Sequence, residues 1–328
     1  MRSRRRRLFG LLGIAVALLV LAPLTPAAAV DTVSLRLDWV IGSEHAPIFV
    51  ARDKGFFKEE GIDVNILAGE GSTVVVKLVG NKNNDFGYAT ADQVLMAHAK
   101  GLPILTTAVV LQDTPGCIIF PRSQPITKLE QLYGKRLGTQ IKSVVDKQWE
   151  AVARMNKIDR SKITEIPSDR VVAQMMMAGK LDAAVAFFFN DGLLMEAKGT
   201  PTGWLMFSDL GLKSYSTSLT VHEDLIKTNP GLVRRFTRAF MKGWSYSRQN
   251  PDEALAIFLK VNPNVDPVYA KLKLPAVLGL TQYEDVKTNG LGYSTKAGWE
   301  TMQRGLIDMK LMDAPIDVTK VFTNEYLK

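Results

Sequence analysis

After position 30, apolar residues recur at two different spacings, one typical of β-strands and the other typical of helices. Residues 33–37 and 62–66 are apolar at every second position, which predicts β-strands with one buried face. Between them, residues 46–54 carry apolar positions at helical spacing and stop at Gly55, a common helix end. The apolar run 104–111 is typical of a strand buried in a parallel sheet. Strands separated by helices of this length predict an α/β fold.

A second segment, residues 136–189, repeats this plan. The order of serine, apolar helix, glycine, aspartate and strand occurs from Ser72 to Tyr88 and again from Ser168 to Phe188. Any α/β chain contains such units, but the repeat fits two lobes of similar build. A chain of about 300 residues after residue 29 also exceeds one core. No Pro- or Gly-rich linker separates the halves, so we expect the chain to cross between the lobes by short strands.

The last hundred residues are predicted to be helical scaffold. A long helix is expected from 231 to 248, and further helices start near the Asn-Pro and Asp-Pro pairs that follow. Four aromatic residues at helical spacing are expected to be core rather than ligand contacts: Phe236, Phe240, Trp244 and Trp299.

The N-terminus has the three parts of a secretory signal. An arginine-rich start is followed by an apolar stretch of 17 residues from Leu8 to Leu24 and an Ala-x-Ala end at Ala29. A membrane anchor is the alternative, but the stretch is short for a span and is broken by glycine and proline. We therefore expect cleavage near Ala29, removal of residues 1–29 and a periplasmic location. The Arg6-Arg7 pair leaves the general secretory and twin-arginine routes open.

The composition of the chain argues against several classes of function. Five of the 41 Lys and Arg residues lie in this leader, which leaves 36 against 33 Asp and Glu, so the charge does not favour nucleic acid. Cys117 is the single cysteine, so no intramolecular disulfide is expected, and one cysteine with three histidines does not favour a structural zinc site. Gly-x-Ser-x-Gly and phosphate-loop motifs are absent from the sequence. We expect no cofactor and assign no catalytic residue.

An ordered set of motifs resembles the NMT1/THI5-like solute-binding proteins. It runs from about residue 33 to 221 and comprises Leu37-Asp38-Trp39, His45, residues 54–64, Gly69-x-Gly71-Ser72, Asp85-Phe86-Gly87, residues 100–103, Gln112 and residues 132–138. The resemblance implies an α/β type II periplasmic-binding fold, in which two lobes joined by two crossover strands close over a ligand. The crossings would fall near 117–122 and 214–221. Residues 30–118 and 219–328 would form the first lobe, and residues 119–218 the second.

The function that this resemblance implies is that of the periplasmic solute-binding component of an ABC importer. Such a protein is non-catalytic, monomeric, and hands a small molecule to a permease in the inner membrane. Leu-Asp-Trp with a histidine six residues after the tryptophan is typical of the pyrimidine-binding branch, so a thiamine-precursor pyrimidine or a similar heteroaromatic is the favoured ligand. Riboflavin, nitrate, sulfonates, taurine and aromatic carboxylates are the alternatives.

The chain departs from the pyrimidine-binding pattern in two places. Ile41-Gly42-Ser43-Glu44 replaces Pro-Asn-Thr-Asn, and no carboxylate aligns clearly with the later pocket motif, which here reads Phe188-Phe189-Asn190-Asp191. A related pyrimidine synthase branch shares the region of Trp39 and His45 but uses a cysteine-rich run with iron. The single cysteine makes that enzyme the less favoured alternative.

Candidate ligand contacts cluster where predicted strands end, since ligands of open α/β sheets lie beyond the carboxyl ends of the strands. The residues at or beside these ends are Trp39, His45, Gly71, Ser72, Thr73, Tyr88, Thr90, Gln112, Phe189 and Asn190. Gln112 lies next to a predicted crossing, and the last two would come from the second lobe.

An aromatic stack is the first type of contact expected. Trp39 follows a predicted strand, where its ring offers a face to a flat ligand, and Tyr88 and Phe189 would form the opposing face. All three fit core packing as well, so both interpretations stay open.

Polar contacts are expected at helix starts. Gly71 allows close backbone approach, and the free N–H groups near Ser72 and Thr73 suit a carboxylate, sulfonate or carbonyl, although Ser72 can equally be a structural cap. His45 is a hydrogen-bond candidate through the family pattern alone, and Asn190 can instead cap a helix. Arg170 and Lys142 are weaker candidates for binding an anion.

Overall fold

The computed structural model describes residues 30–140, 143–168, 171–282 and 284–328, and the predicted leader lies outside them. Within these ranges the strands are, in chain order, β1 (Asp31–Arg36), β2 (Ile62–Leu67), β3 (Phe86–Thr90), β4 (Ile104–Val109), β5 (Gly116–Pro121), β6 (Arg136–Gln140), β7 (Thr164–Ser168), β8 (Ala183–Phe187), β9 (Thr202–Met206) and β10 (Thr217–His222).

Helices follow or connect these strands, which confirms the predicted α/β alternation. They are α1 (Ala46–Asp53), α2 (Phe56–Glu59), α3 (Ser72–Gly80), α4 (Ala91–Ala99), α5 (Val144–Met155), α6 (Val172–Met177), α7 (Leu193–Ala197), α8 (Glu223–Thr228), α9 (Pro230–Gln249), α10 (Pro251–Val261), α11 (Pro267–Gly279), α12 (Glu284–Asn289) and α13 (Lys296–Asp308). None of the helices in the described part of the chain is long and apolar enough to span a bilayer.

The strands form two sheets with the same topology. The first has the order β2-β1-β3-β10-β4 and the second β7-β6-β8-β5-β9. In each sheet one strand runs antiparallel to its two neighbours, β10 in the first and β5 in the second, and the other pairs are parallel. The unit of α3 and β3 therefore has its counterpart in α6 and β8, as the sequence repeat predicts.

Two connections join the sheets. The first runs over residues 110–115, between β4 and β5, and the second over residues 207–216, between β9 and β10. After each connection the chain enters the other sheet, at Gly116 with β5 and at Thr217 with β10. Both positions lie about two residues before the lobe boundary expected from the sequence. The antiparallel strand of each sheet is thus the first strand after a crossing.

The core of the first lobe forms between its sheet and the C-terminal helices. The rings of Phe86 in β3 and Phe236 in α9 stack with their centroids 3.7 Å apart. Phe240, Trp244 and Trp299 are also fully buried, which confirms the expectation that these aromatic residues are scaffold. Helix α9 packs closely on α1, because Gly243 lies directly against the α1 backbone.

We expect Gly243→Ala to lower the free energy of unfolding by about 1–3 kcal/mol, the usual cost of overpacking. A Cβ atom at this position would lie 2.3 Å from Pro47 O and 2.6 Å from Ala51 Cβ. Without that clash, alanine would stabilise a helix relative to glycine by about 1 kcal/mol. Gly279→Ala in α11, where a Cβ meets nothing within 4 Å, is the matched control. Equal urea-denaturation midpoints for the two variants would contradict the prediction.

Candidate ligand-binding site

The first connection packs against the second lobe near the ends of its strands. Phe188, directly after β8, donates its backbone N–H to Pro115 O at 3.1 Å. Thr114, in the first connection, donates its hydroxyl to Gln148 Oε1 in α5 at 2.9 Å. Ligands of α/β sheets bind beyond the carboxyl ends of strands, so this boundary is the candidate site.

Trp39 lies in the loop after β1 and is partly exposed. Its carbonyl accepts the backbone N–H of Gly69 at 2.9 Å, which ties this loop to the one after β2. The next residue, Val40, is 61% exposed. The first lobe therefore exposes apolar side chains next to the end of β1. A flat ligand needs such a surface to stack on.

His45 and Tyr88 lie together beneath this loop. The ring of His45 is fully buried, its Nδ1 accepts the backbone N–H of Gly42 at 3.2 Å, and its Nε2 therefore donates to Asp38 Oδ1 at 2.8 Å. Tyr88 packs edge-on against His45 with ring centroids 5.8 Å apart, and its hydroxyl lies 2.8 Å from Thr217 Oγ1. Burial raises the pKa of Tyr88 well above its usual value. In this conformation both rings support the loop that carries Trp39.

The start of α3 is tied to the end of β3. Ser72 Oγ accepts the backbone N–H of Thr90 at 3.1 Å, and Thr73 donates its hydroxyl to Gln93 Oε1 at 2.9 Å. Gly71 precedes the helix with φ 126°, a backbone conformation that favours glycine. The structure thus brings Ser72 and Thr90 together.

Gln112 is held within the first connection. Its side-chain amide donates to the carbonyls of Val109 at 2.7 Å and Tyr293 at 3.1 Å. The side chain is buried, and both of these bonds fix the connection to residues of the first lobe.

Phe189 and Asn190, in the short helical turn after β8, contact α11 across the boundary. Asn190 Oδ1 accepts a hydrogen bond from Lys273 Nζ at 2.8 Å, and Phe189 O accepts one from the hydroxyl of Tyr269 at 3.3 Å. Lys273 Nζ also lies 5.3 Å from the centre of the Phe189 ring. The second lobe is thus joined to the C-terminal helices here. Lys142 and Arg170 lie outside the described residues.

Sequence reasoning missed a buried ion pair at this boundary. Lys273 Nζ lies 2.7 Å from Glu44 Oε2, and the two side chains are only 5% and 12% exposed. Burial opposes the charged form of Glu44, but interactions led by attraction to Lys273 outweigh it and lower the pKa of Glu44. Burial likewise opposes the charged form of Lys273, yet Glu44 and Tyr269 raise its pKa. Each partner therefore favours the charged form of the other.

Asp191 is a second carboxylate near this pair, and it is partly buried. Its Oδ2 accepts a hydrogen bond from Gln140 Nε2 at 3.1 Å. Burial raises the pKa of Asp191 to about 6, although Gln140 and Lys273 favour its charged form. Asp191 is the only residue of the Phe-Phe-Asn-Asp motif that can be ionised.

Two cavities lie between α5 and the end of α13. An open groove of about 620 Å³ is lined by Lys147, Glu150, Arg154, Met309, Lys310 and Leu311. An adjoining crevice of about 10 Å³ reaches Asp92, at the start of α4, and the first turns of α5. The groove has no aromatic lining residue and contains none of the predicted ligand residues, so we do not assign a flat ligand to it.

Two α/β lobes of equal topology, joined by two connections and meeting near strand ends, define a periplasmic-binding-protein fold. The alkanesulfonate-binding protein SsuA from Xanthomonas axonopodis pv. citri, solved with MOPS bound, has this fold and superimposes with a TM-score of 0.67. The two proteins are 13% identical, and the match covers 90% of this chain and 99% of SsuA. The predicted fold class is thereby confirmed.

The chain belongs to the NMT1/THI5-like family, whose model matches residues 42–254. It is similar to the riboflavin-binding protein RibY of Chloroflexus aurantiacus, with 27% identity over 96% of both chains. It is also similar to the 4-amino-5-hydroxymethyl-2-methylpyrimidine phosphate synthase of Legionella pneumophila, with 24% identity over 90% of this chain and 92% of that protein. The family expected from the motifs is confirmed.

Proposed function

We propose that the protein is a periplasmic solute-binding protein that closes its two lobes over a flat heteroaromatic molecule and presents it to an ABC importer permease. The observation that carries this proposal is the position of Trp39, a partly exposed residue beyond the end of β1. A ring in that place can stack on a flat ligand. The proposal also includes cleavage of the leader near Ala29, a monomeric state and lobes bounded near residues 118 and 218. Its candidate ligand contacts are the residues predicted from the sequence.

Similarity to RibY supports a heteroaromatic ligand, since that relative is named for binding riboflavin. The favoured ligand is a thiamine-precursor pyrimidine or a molecule of similar shape. Closure demands that the ligand contact both lobes, because only differential affinity for the closed state shifts the equilibrium. Trp39 would supply the contact from the first lobe and Phe189 with Asn190 the contact from the second.

Binding is favoured over synthase chemistry by the cysteine content. The sequence has one cysteine, whereas the resembling synthase branch uses a cysteine-rich run with iron. Cys117 is buried in β5, where burial raises the pKa of its thiol well above the usual value. A buried, protonated thiol is a poor metal ligand.

The experiment that tests this function is a thermal-shift screen followed by calorimetry. The panel holds riboflavin, 4-amino-5-hydroxymethyl-2-methylpyrimidine, an aromatic carboxylate, taurine, an alkanesulfonate and nitrate. A ligand present at 100 times its Kd stabilises the protein by about 2.7 kcal/mol. Stabilisation by a heterocycle supports the proposal, whereas stabilisation by a sulfonate or nitrate alone would refute the heteroaromatic class.

We expect Trp39→Ala to weaken binding of the heterocycle about tenfold, since a lost aromatic stack costs about 0.5–1.5 kcal/mol beyond the buried area. Trp39→Phe keeps a stacking face and should retain most of the affinity. Calorimetric titration of both variants measures the effect, and urea denaturation confirms that they remain folded. Unchanged affinity in Trp39→Ala would remove this residue from the site.

A further inference from the structure

Helix α11 of the first lobe runs along the boundary between the lobes. One end lies at the first connection, where Leu280, directly after the helix, accepts the backbone N–H of Gln112 at 2.9 Å. At the other end Asp266, the residue before the helix, pairs with Lys198 of the second lobe at 2.8 Å. With a rise of about 1.5 Å per residue, these two contacts lie roughly 20 Å apart along the helix. Helix α11 therefore extends from the connection to a point well away from it.

The second lobe is also bonded to the middle of this helix. Lys273 Nζ donates to Asn190 Oδ1 at 2.8 Å, and the hydroxyl of Tyr269 donates to Phe189 O at 3.3 Å. These bonds, like the pair of Lys198 with Asp266, join protein atoms of one lobe to protein atoms of the other. They stabilise the closed arrangement of the lobes independently of the contacts that a ligand makes in the cleft.

The pair of Lys198 with Asp266 is the contact on α11 that a hinge motion moves most. Lys273 lies about 10 Å from Leu280 along the helix, half as far as Asp266. In a rigid-body rotation about the first connection, displacement grows in proportion to the distance from that connection. The ammonium group of Lys198 therefore moves away from Asp266 about twice as far as the second lobe moves away from Lys273.

Asp266 is held in place to receive the lysine. Its Oδ1 accepts the backbone N–H groups of Val268 at 2.9 Å and Tyr269 at 3.3 Å, which fixes the carboxylate at the start of α11. The other oxygen, Oδ2, accepts the hydrogen bond from Lys198 Nζ. One carboxylate thus caps the helix of the first lobe and binds the second lobe at the same time.

We infer that Lys198 and Asp266 form a latch that holds the lobes closed and so positions the second lobe for ligand capture without contacting the ligand. The pair is lost when the lobes open, so its whole contribution acts on the equilibrium between the open and closed forms. The two side chains are 52% and 31% exposed, which limits the shift to about fivefold at most and makes it sensitive to salt. The latch does not depend on the ligand class proposed above.

The test measures the distance between spin labels on the two lobes by pulsed electron paramagnetic resonance. Labels on Asn264→Cys, before α11, and on Gln174→Cys, in α6 of the second lobe, occupy exposed positions, and Cys117 is buried. We expect a closed and an open distance population in protein expressed from the full chain. Between about 0.01 M and about 1 M NaCl the Debye length falls from about 30 to about 3 Å, and the closed-to-open ratio should fall up to about fivefold.

The variant Lys198→Met removes the latch. At low salt it should have the closed-to-open ratio that the wild type reaches only at high salt, and it should lose most of the salt dependence. Lys227→Met is the matched control, because Lys227 pairs with Glu223 at 3.4 Å within α8 of the first lobe. That variant should keep the ratio and the salt dependence of the wild type. Urea denaturation checks that both are folded, and a purely structural lysine would lower the urea midpoint without changing the ratio.

The outcomes separate this inference from the proposed function. Equal closed-to-open ratios in Lys198→Met and Lys227→Met would overturn the latch, and so would a wild-type ratio that does not change with salt. Neither result bears on the proposed function, because the distance measurement uses no ligand. A screen in which no heterocycle stabilises the protein would refute the proposed ligand class and leave the latch intact.

Discussion

Replacing Lys273 by methionine is expected to lower the free energy of unfolding by about 3–5 kcal/mol, the cost of breaking a buried ion pair from one side. The ammonium group lies 2.7 Å from Glu44 and 2.8 Å from Asn190 Oδ1, so its loss leaves a buried carboxylate without its cation. The variant also loses a bond between α11 and the turn after β8. Urea denaturation at pH 7 measures the change.

Two variants show whether burial causes the effect. Lys198→Met removes a lysine from a pair with Asp266 at 2.8 Å, whose side chains are 52% and 31% exposed, and should cost at most about 1 kcal/mol. The double variant Glu44→Gln with Lys273→Met removes both charges and should recover much of the loss. If Lys273→Met cost no more than Lys198→Met, the pair would not be a buried interaction in solution.

The sequence predicts the regular elements well because their signals are local. Periodicity and a glycine end place α1 within one residue of its bounds, and the repeat fits the shared topology of the two sheets. Strand β9 escaped prediction, because its Gly-Trp-Leu-Met segment has no clear alternation. Its edge position in the second sheet comes from pairing with β5, a contact of long range in the chain.

The candidate site was predictable only in part. Strand ends can be located from the sequence, and they correctly place Trp39 after β1 and Asn190 after β8. The direction of each side chain is set by packing, so the sequence does not show that the His45 ring is buried against Tyr88. Glu44 and Lys273 are far apart in sequence, and only the docking of α11 brings them together.

Asp191→Asn is expected to raise the free energy of unfolding, and this gain should increase with pH. The folded state holds the pKa of Asp191 at about 6, above the ordinary 3.8, because burial disfavours the charged carboxylate. Below about pH 3 the group is protonated in the folded and unfolded states, so it imposes no penalty. Between these pKa values the folded state binds more protons than the unfolded state, and stability falls as pH rises. Above about pH 7 the penalty is complete at roughly 3 kcal/mol.

Asparagine removes that titration while keeping a hydrogen-bond acceptor for Gln140. The polar and ionisable groups near Asp191 are Gln140 of β6, Lys273 and Tyr269 of α11, and the Cys117 thiol of β5. Loss of the attraction to Lys273 offsets part of the gain, so the measured difference should approach, and not exceed, about 3 kcal/mol. Urea denaturation of wild type and variant at pH 4, 6 and 8 follows the difference.

Asp182→Asn is the matched control, because the pKa of Asp182 is shifted in the opposite direction from that of Asp191. Arg136 holds the pKa of Asp182 at about 2, so this carboxylate stabilises the fold above pH 4 and the stabilisation is lost as pH falls towards 2. Its asparagine variant should therefore be less stable than wild type at pH 8, where Asp191→Asn is more stable. A constant difference between Asp191→Asn and wild type from pH 4 to 8 would show that Asp191 titrates normally. The carboxylate would then be in contact with solvent, and the turn after β8 would not be sealed against α11 in solution.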